Sequence, residues 1–262
     1  MKYLKIFFLL IAFLTSSCKN ADKPHRVTCK SFVLSYRFLE SLSLGEQDFE
    51  GEKSLQLFGN SPQNRFDTDV IYTERDGAEI YWELCRKHND LTYNHTVLMY
   101  PEDSYIGRQL FLAEDFVSVD IWSDSDYDED HSAGTSLANI VRFVSLSSYQ
   151  FIRNGYAAYD WASSDVKELY TKLYGSTIDS NNGTTSGPGG FYPLNKLVSD
   201  LQLDDLKIFG PAGKYSPWDK SEPLAYLFFE HPSTLSKTHT FTVTLTTDDG
   251  KVFEDTITVT FE

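Results

Sequence analysis

The C-terminal end of the chain constrains the fold more than any other stretch. Phe241-Thr242-Val243-Thr244-Leu245-Thr246 alternates apolar residues with threonine, Asp248-Asp249-Gly250-Lys251 supplies a turn, and Thr256-Ile257-Thr258-Val259-Thr260-Phe261 alternates again. A side-chain period of two puts Phe, Val, Leu and Ile on one face of a hairpin and a ladder of threonines on the other. One dry face and one wet face belong to an antiparallel sheet, since strands of parallel sheets are apolar on both. The expected fold is therefore mainly β: an antiparallel β-sandwich, Ig-like or transthyretin-like, with two short helices in an insertion over about 135–210.

Other segments extend this reading. Val27 to Leu39 is rich in β-branched and aromatic residues and reads as a strand. Val70-Ile71-Tyr72 and Ile80-Tyr81-Trp82 flank Arg75-Asp76-Gly77, which predicts a hairpin because Asp-Gly tolerates positive φ. His95 to Tyr100 is a further strand, stopped by Pro101. In Phe116–Trp122, Val117, Val119 and Ile121 alternate with more polar residues. Asp165-Val166-Lys167-Glu168 resembles a capping box, followed at helical spacing by Val166, Leu169, Tyr170, Leu173 and Tyr174, with Gly175 as the stop. Leu194, Leu197, Val198 and Leu201 predict a second short helix. Between the two, 14 of the 16 residues from Gly175 to Gly190 are Gly, Pro, Ser, Thr or Asn. That composition packs no core, so it is a loop within one domain or a linker between two domains split near 175–190.

The N-terminus carries an address rather than a fold. Lys2 and Lys5 precede the apolar run Ile6–Leu14, and Thr15-Ser16-Ser17-Cys18 follows. A basic start, an apolar run too short to span as a folded helix and small residues describe an export signal. A cysteine directly after the small residues makes it resemble a bacterial lipoprotein signal whose lipobox ends at the acylated Cys18; the relaxed form, with threonine where leucine is usual, resembles those of Bacteroidota. Residues 1–17 are then a signal peptide, 18–26 a tether and 27–262 the sandwich domain. The expected location is the cell envelope, lipid-anchored at the outer membrane and facing the periplasm or the surface.

Charge narrows the partners. The chain has 38 acidic and 23 basic residues; removing Lys2 and Lys5 with the signal leaves 21 basic residues and a net charge of −17. Such a body repels phosphate backbones, which argues against nucleic acid as a ligand. The membrane is met through the lipid, and a carbohydrate or a protein is the ligand class left open. Cys29 and Cys85 remain after Cys18 is spent on lipid, either bridged in a compartment that permits disulfides or each a buried thiol.

One dense constellation stands out. Six of the eleven residues from Asp120 to Asp130 are acidic, with Asp124, Asp126 and Asp128 in D-x-D-x-D register. Alternating aspartates in a loop supply hard oxygens, so Asp124, Asp126, Asp128 and Asp130 are candidate Ca²⁺ ligands, with Asp120 or backbone carbonyls completing the shell. The EF-hand pattern itself is not met: its sixth position holds Glu129 and its twelfth Thr135. The alternative is a solvated acidic loop. His131 beside it is a transition-metal candidate or an exposed loop residue.

Catalytic motifs are wanting. Ser164-Asp165-Val166-Lys167 spells S-x-x-K and Lys237-Thr238-His239 nearly spells K-T-G, but the third motif of penicillin-binding enzymes is missing, so capping by Ser164 and Asp165 is the better reading. Four tryptophans (Trp82, Trp122, Trp161 and Trp218) offer sugar-stacking faces or sandwich core; Trp122 and Trp161 lie nearest polar sequence.

The run Ser123–Leu137, together with the hairpin Phe241–Phe261, resembles uncharacterised Bacteroidota lipoproteins built on a domain of unknown function. The resemblance implies an envelope lipoprotein and brings no catalytic residues with it. Three functions follow in order: a non-enzymatic binding or accessory module, a structural subunit of a fimbria-like assembly, and a glycan-active enzyme with two facing carboxylates.

Overall fold

The computed structural model describes residues 25–33, 35–60, 70–72, 78–99, 110–161, 163–179, 190–209 and 223–261. The expected signal and Cys18, the turn Arg75-Asp76-Gly77, most of the Gly-rich stretch and Trp218 lie outside these residues. The described chain is mainly β and forms several antiparallel sheets, in a sandwich-like arrangement.

The terminal hairpin forms as its alternation dictates. Strands β12 (Thr238–Thr247) and β13 (Val252–Thr260) pair in continuous register from Thr238↔Thr260 to Thr246↔Val252, and β8 (Phe116–Ser123) pairs with the other side of β12. Phe241, Val243 and Leu245 are fully buried while the intervening threonines reach solvent. Burying each of these three is worth roughly 1.5–3 kcal/mol relative to exposure. A bulge between Thr246 and Thr247 shifts the register opposite Phe116, and Val117 beside it is exposed.

Facing this sheet is a five-stranded one, in the order β10 (Tyr192–Leu197), β9 (Val141–Ser147), β11 (Ala225–Phe229), β4 (Glu52–Asn60) and β3 (Ser41–Phe49), antiparallel throughout. Leu55, Leu57, Phe143 and Leu227 meet Ile121, Phe241, Val243 and Leu245 in the sandwich core. At the side where the sheets approach, the backbone N–H of Leu44 on β3 donates to Asp255 Oδ2 on β13 (2.8 Å), so a carboxylate satisfies an edge-strand donor. Glu50 and Gly51, both at positive φ, make the tight β3–β4 turn.

The second face of the five-stranded sheet is covered too. Val144, Leu146 and Tyr226 pack against helices α1 (Ala78–Lys87), α2 (Ser148–Arg153) and α3 (Lys167–Asp179) through Tyr81, Cys85, Phe151, Tyr170 and Tyr174. On this side lie a small sheet, β5 (Val70–Tyr72), β2 (Ser35–Arg37) and β7 (Leu110–Leu112), in which β2 and β7 are parallel, and a separate pair, β1 (His25–Cys29) with β6 (His95–Met99). Gly190 lies so close to the Phe32 ring that a Cβ there would sit 2.1 Å from Cζ, so only glycine fits.

Several expectations are corrected. Ile80-Tyr81-Trp82 is helical, because Tyr81, Cys85 and His88 recur at helical spacing and are the buried residues of that stretch. The strand predicted over Val27–Leu39 breaks at residues 30–33, and the tether predicted to reach residue 26 ends sooner, since β1 starts at His25. The helix predicted over Leu194–Leu201 is strand β10 followed by a 3-10 turn, Val198–Asp200. Helix α3 does not stop at Gly175; non-helical φ/ψ at Tyr174 (−129°, 33°) kinks it instead and it runs on to Asp179. Residues 135–210 are not an insertion, because they supply β9 and β10 of the central sheet. Nor do the described residues on either side of 180–189 part into two domains: β9, β10 and β11 belong to one sheet.

Candidate functional site

The acidic loop is held by its own aspartates. Asp124 Oδ1 accepts from the Thr240 N–H (2.8 Å) and the Ser125 hydroxyl, Asp126 Oδ1 from the Ala133 N–H (2.8 Å), and Asp128 Oδ1 from the Asp130 and His131 N–H groups (2.9 and 2.8 Å) and from His131 Nδ1 (2.7 Å). Asp128 thus caps the turn in the manner of a local Asx bond, Asp126 ties its two arms together, and Asp124 ties the loop to β12. Gly134, at φ +78°, lets the chain double back so that its N–H reaches the Ser123 carbonyl (2.7 Å); Leu137 N–H then bonds Ile121 O, and Ser136 bridges Trp122 along the free edge of β8. Under the loop, Tyr127 is buried and donates to the His231 carbonyl (2.5 Å).

This geometry revises two expectations. Asp124, Asp126, Asp128 and Asp130 are not brought to one point, and among the described residues no three His, Cys, Asp or Glu side chains group as a metal site. His131 is buried rather than exposed. Its Nδ1–H donates to Asp128 and its Nε2–H to Asn139 Oδ1 (2.9 Å), so both ring nitrogens face acceptors. Burial works against the imidazolium, but these bonds outweigh it and raise His131 above the ordinary range; the same contact, again against burial, lowers Asp128. The tie is present below about pH 6.5 for as long as Asp128 stays ionised, and is lost as pH rises through the raised folded value of His131 or falls through the lowered one of Asp128. Asp128→Ala is expected to cost about 1–2 kcal/mol in urea denaturation, with the same melting temperature in millimolar calcium as in chelator. A calcium-specific rise in the wild type would restore the metal reading.

A second constellation, which the sequence reading missed, is buried between α1 and the strands around it. Asn89, at φ 58°, ends α1, and the Asp90 N–H returns to the Cys85 carbonyl (2.8 Å). That turn points the buried Asp90 carboxylate at the backbone N–H groups of Phe32 and Val33 (both 2.8 Å) and at the Tyr156 hydroxyl (3.0 Å). His88 lies within the same turn: its Nδ1 accepts from the Tyr36 hydroxyl (3.1 Å) and its Nε2–H donates to Asp115 Oδ1 (2.8 Å). Asp115 Oδ2 pairs with Lys87 Nζ (2.8 Å), which also reaches Asp248 in the terminal hairpin turn (2.7 Å).

Hydroxyl, imidazole and carboxylate in this order make a proton-relay geometry. Tyr36 is fully buried and His88 is 1% exposed, and burial holds the Tyr36 hydroxyl well above its ordinary pKa. Cys85, against the Tyr36 and Tyr81 side chains, is pushed up to about 11 by burial, so its thiolate is suppressed. Cys29 and Cys85 are not joined in a disulfide. The network fastens α1 to β2, to the segment before β8 and to the hairpin turn. The helical recurrence of Tyr81, Cys85 and His88 is the signal that would have found it.

The described tryptophans divide clearly. Trp161 is buried against Tyr159 and Tyr170, with its Nε1–H unpartnered among the described residues, and Trp82 packs edge-on to Tyr81. Trp122 is half-buried on the outer face of the three-stranded sheet. Ser164 leads into α3, its hydroxyl accepting from the Val166 N–H, whereas His239 is buried in the sandwich, where Nε2–H donates to Ser236 O and Nδ1 accepts from Ser123 Oγ; the two belong to different layers. Set against protein-family models, curated proteins and solved structures, the chain matches none of them.

Proposed function

We propose that this protein is a lipid-tethered module of the cell envelope that binds its ligand without transforming it. The observation that carries the reading is the N-terminal order of Lys2 and Lys5, the apolar run Ile6–Leu14, and Thr15-Ser16-Ser17-Cys18. An acyl-bearing Cys18 supplies more buried methylenes than a single chain, enough for stable attachment. The body supports a binding role because its dense polar constellations, Asp124 to His131 and Tyr36–His88–Asp115, spend their polar atoms on internal hydrogen bonds. The tether is favoured over a fimbria-like subunit by the first strand among the described residues: β1 pairs with β6 in its own two-stranded sheet, so withdrawing it opens no groove in the described sandwich. Cys18→Ala is expected to move the protein from the membrane to the soluble fraction and to abolish labelling by an acyl-chain analogue. Persistence of both in the variant overturns the reading.

A further inference from the structure

We propose that the outer face of the β8–β12–β13 sheet is a binding face for a neutral polysaccharide, with Trp122 as the platform on which a sugar ring stacks. The proposal deepens the binding reading above and rests on it.

The face is laid out by strand register. Trp122, Thr242 and Thr256 lie in one row across the three strands, and Asp120, Thr244 and Glu254 in the next. Each row spans about 10 Å, at the usual strand spacing. Beyond them Thr240 and Thr258 meet through their hydroxyls at 3.3 Å, and Thr238 and Thr260 at 3.1 Å. These are groups that both give and accept hydrogen bonds, as sugar hydroxyls do. Trp122 stands in the same face. Among the described residues its indole N–H has no acceptor and its ring no aromatic neighbour, the latter unlike the buried Trp161 cluster, where rings meet rings. An aromatic plane with a free polar tip offers a pyranose both its apolar C–H face and a donor.

Asp120 is set beside it. Its Oδ1 accepts from the Ile121 N–H (2.9 Å) and the Ser136 hydroxyl (2.6 Å), and the Ser136 backbone is bridged to that of Trp122, so the carboxylate and the backbone that carries the indole are held by a strand and by the segment running along its edge. Such fixing lowers the ordering cost of binding.

Charge excludes two occupants. None of the three strands contains Lys or Arg, and the face carries Asp120 and Glu254. A polyanion is repelled, and a second copy of this face would set acid against acid. A neutral hydroxylated chain satisfies the carboxylates as donor and the threonines as either partner.

The test is native gel electrophoresis of the full-length chain, in a non-glycoside detergent, through gels containing hydroxyethylcellulose, soluble xylan, mannan or laminarin, with dextran sulfate as the anionic control. At least one neutral polymer is expected to retard the wild type, and Trp122→Ala to weaken that retardation about tenfold or more, the loss of one stacking contact. Thr242→Lys, on the solvent side of β12 opposite Trp122, is the second variant and decides the matter should Trp122→Ala fail to fold. The proposal is overturned if no neutral polymer retards the wild type, if dextran sulfate alone does, or if folded variants bind as the wild type does. Acyl labelling of Cys18 reads the tether separately, so failure here is distinguishable from failure of the anchor.

Discussion

Asp90→Ala is expected to be among the most damaging single substitutions in this chain, costing about 3–5 kcal/mol of folding stability. The carboxylate is buried and accepts from the Phe32 and Val33 N–H groups and from Tyr156. Alanine leaves two buried backbone donors with no acceptor, in a segment whose strand ladder has already been interrupted at residues 30–33. Asp90→Asn relieves this only in part, since its amide sets a donor against a donor. Tyr156→Phe removes one donor and is expected to cost about 0.5–1.5 kcal/mol. The pH dependence has a definite sign. Burial outweighs the hydrogen bonds and raises the Asp90 pKa. The protonated carboxyl therefore contributes stability that is fully present below the unfolded value, near 3.9, and is lost as the group ionises with pH rising through the folded value. The gap between wild type and Asp90→Ala should accordingly widen from pH 7 to pH 4 in urea denaturation followed by tryptophan fluorescence. A cost below 1 kcal/mol would show that Phe32 and Val33 find other acceptors.

Asp115→Asn is expected to cost about 2–4 kcal/mol at pH 7 and to show the opposite trend with acid. Burial alone would raise this carboxyl, but the His88 hydrogen bond and the Lys87 ion pair outweigh it and hold Asp115 below the ordinary range. A depressed carboxylate contributes stability above its unfolded pKa and loses it as pH falls through the folded one. The difference between wild type and Asp115→Asn should therefore be largest near neutrality and shrink below about pH 4. Breaking a buried pair leaves a partner uncompensated, which is why the cost is high. Lys87, whose side chain is 42% exposed, carries less of it; Lys87→Met is expected to cost under about 1 kcal/mol. Equal losses in the two variants would place the energy in the exposed ion pair rather than in His88–Asp115.

The opposed trends arise because the two carboxylates meet different partners in one buried region. Asp90 meets neutral donors that only partly repay its desolvation, whereas Asp115 meets an ammonium and an imidazole N–H. Neither environment is local in sequence. Asp115 reaches back to Lys87 and His88, and Lys87 in turn reaches forward to Asp248, which no spacing rule connects.

What the sequence by itself determined is the part where one period governs one exposed surface. The alternation of Phe241–Thr246 and Thr256–Phe261 dictated two strands, their inward faces and the antiparallel class, because a threonine row facing water leaves one solution. Phe116–Trp122 followed for the same reason. Tertiary structure decided what lies beneath. Val141–Ser147 and Ala225–Phe229 bury residues on both faces and carry no alternation to read; they are strands because helices cover the second side of the sheet. Three apolar residues at 80–82 fit a strand or a helix equally, and packing of Tyr81, Cys85 and His88 against Tyr36 settled it. The acidic run was visible as composition, but whether its oxygens converge depends on which backbone donors the returning loop presents, and here Asp124, Asp126 and Asp128 each take their own. Local patterning fixes which residues face water, while the pairing of buried polar groups is fixed only once distant segments have met.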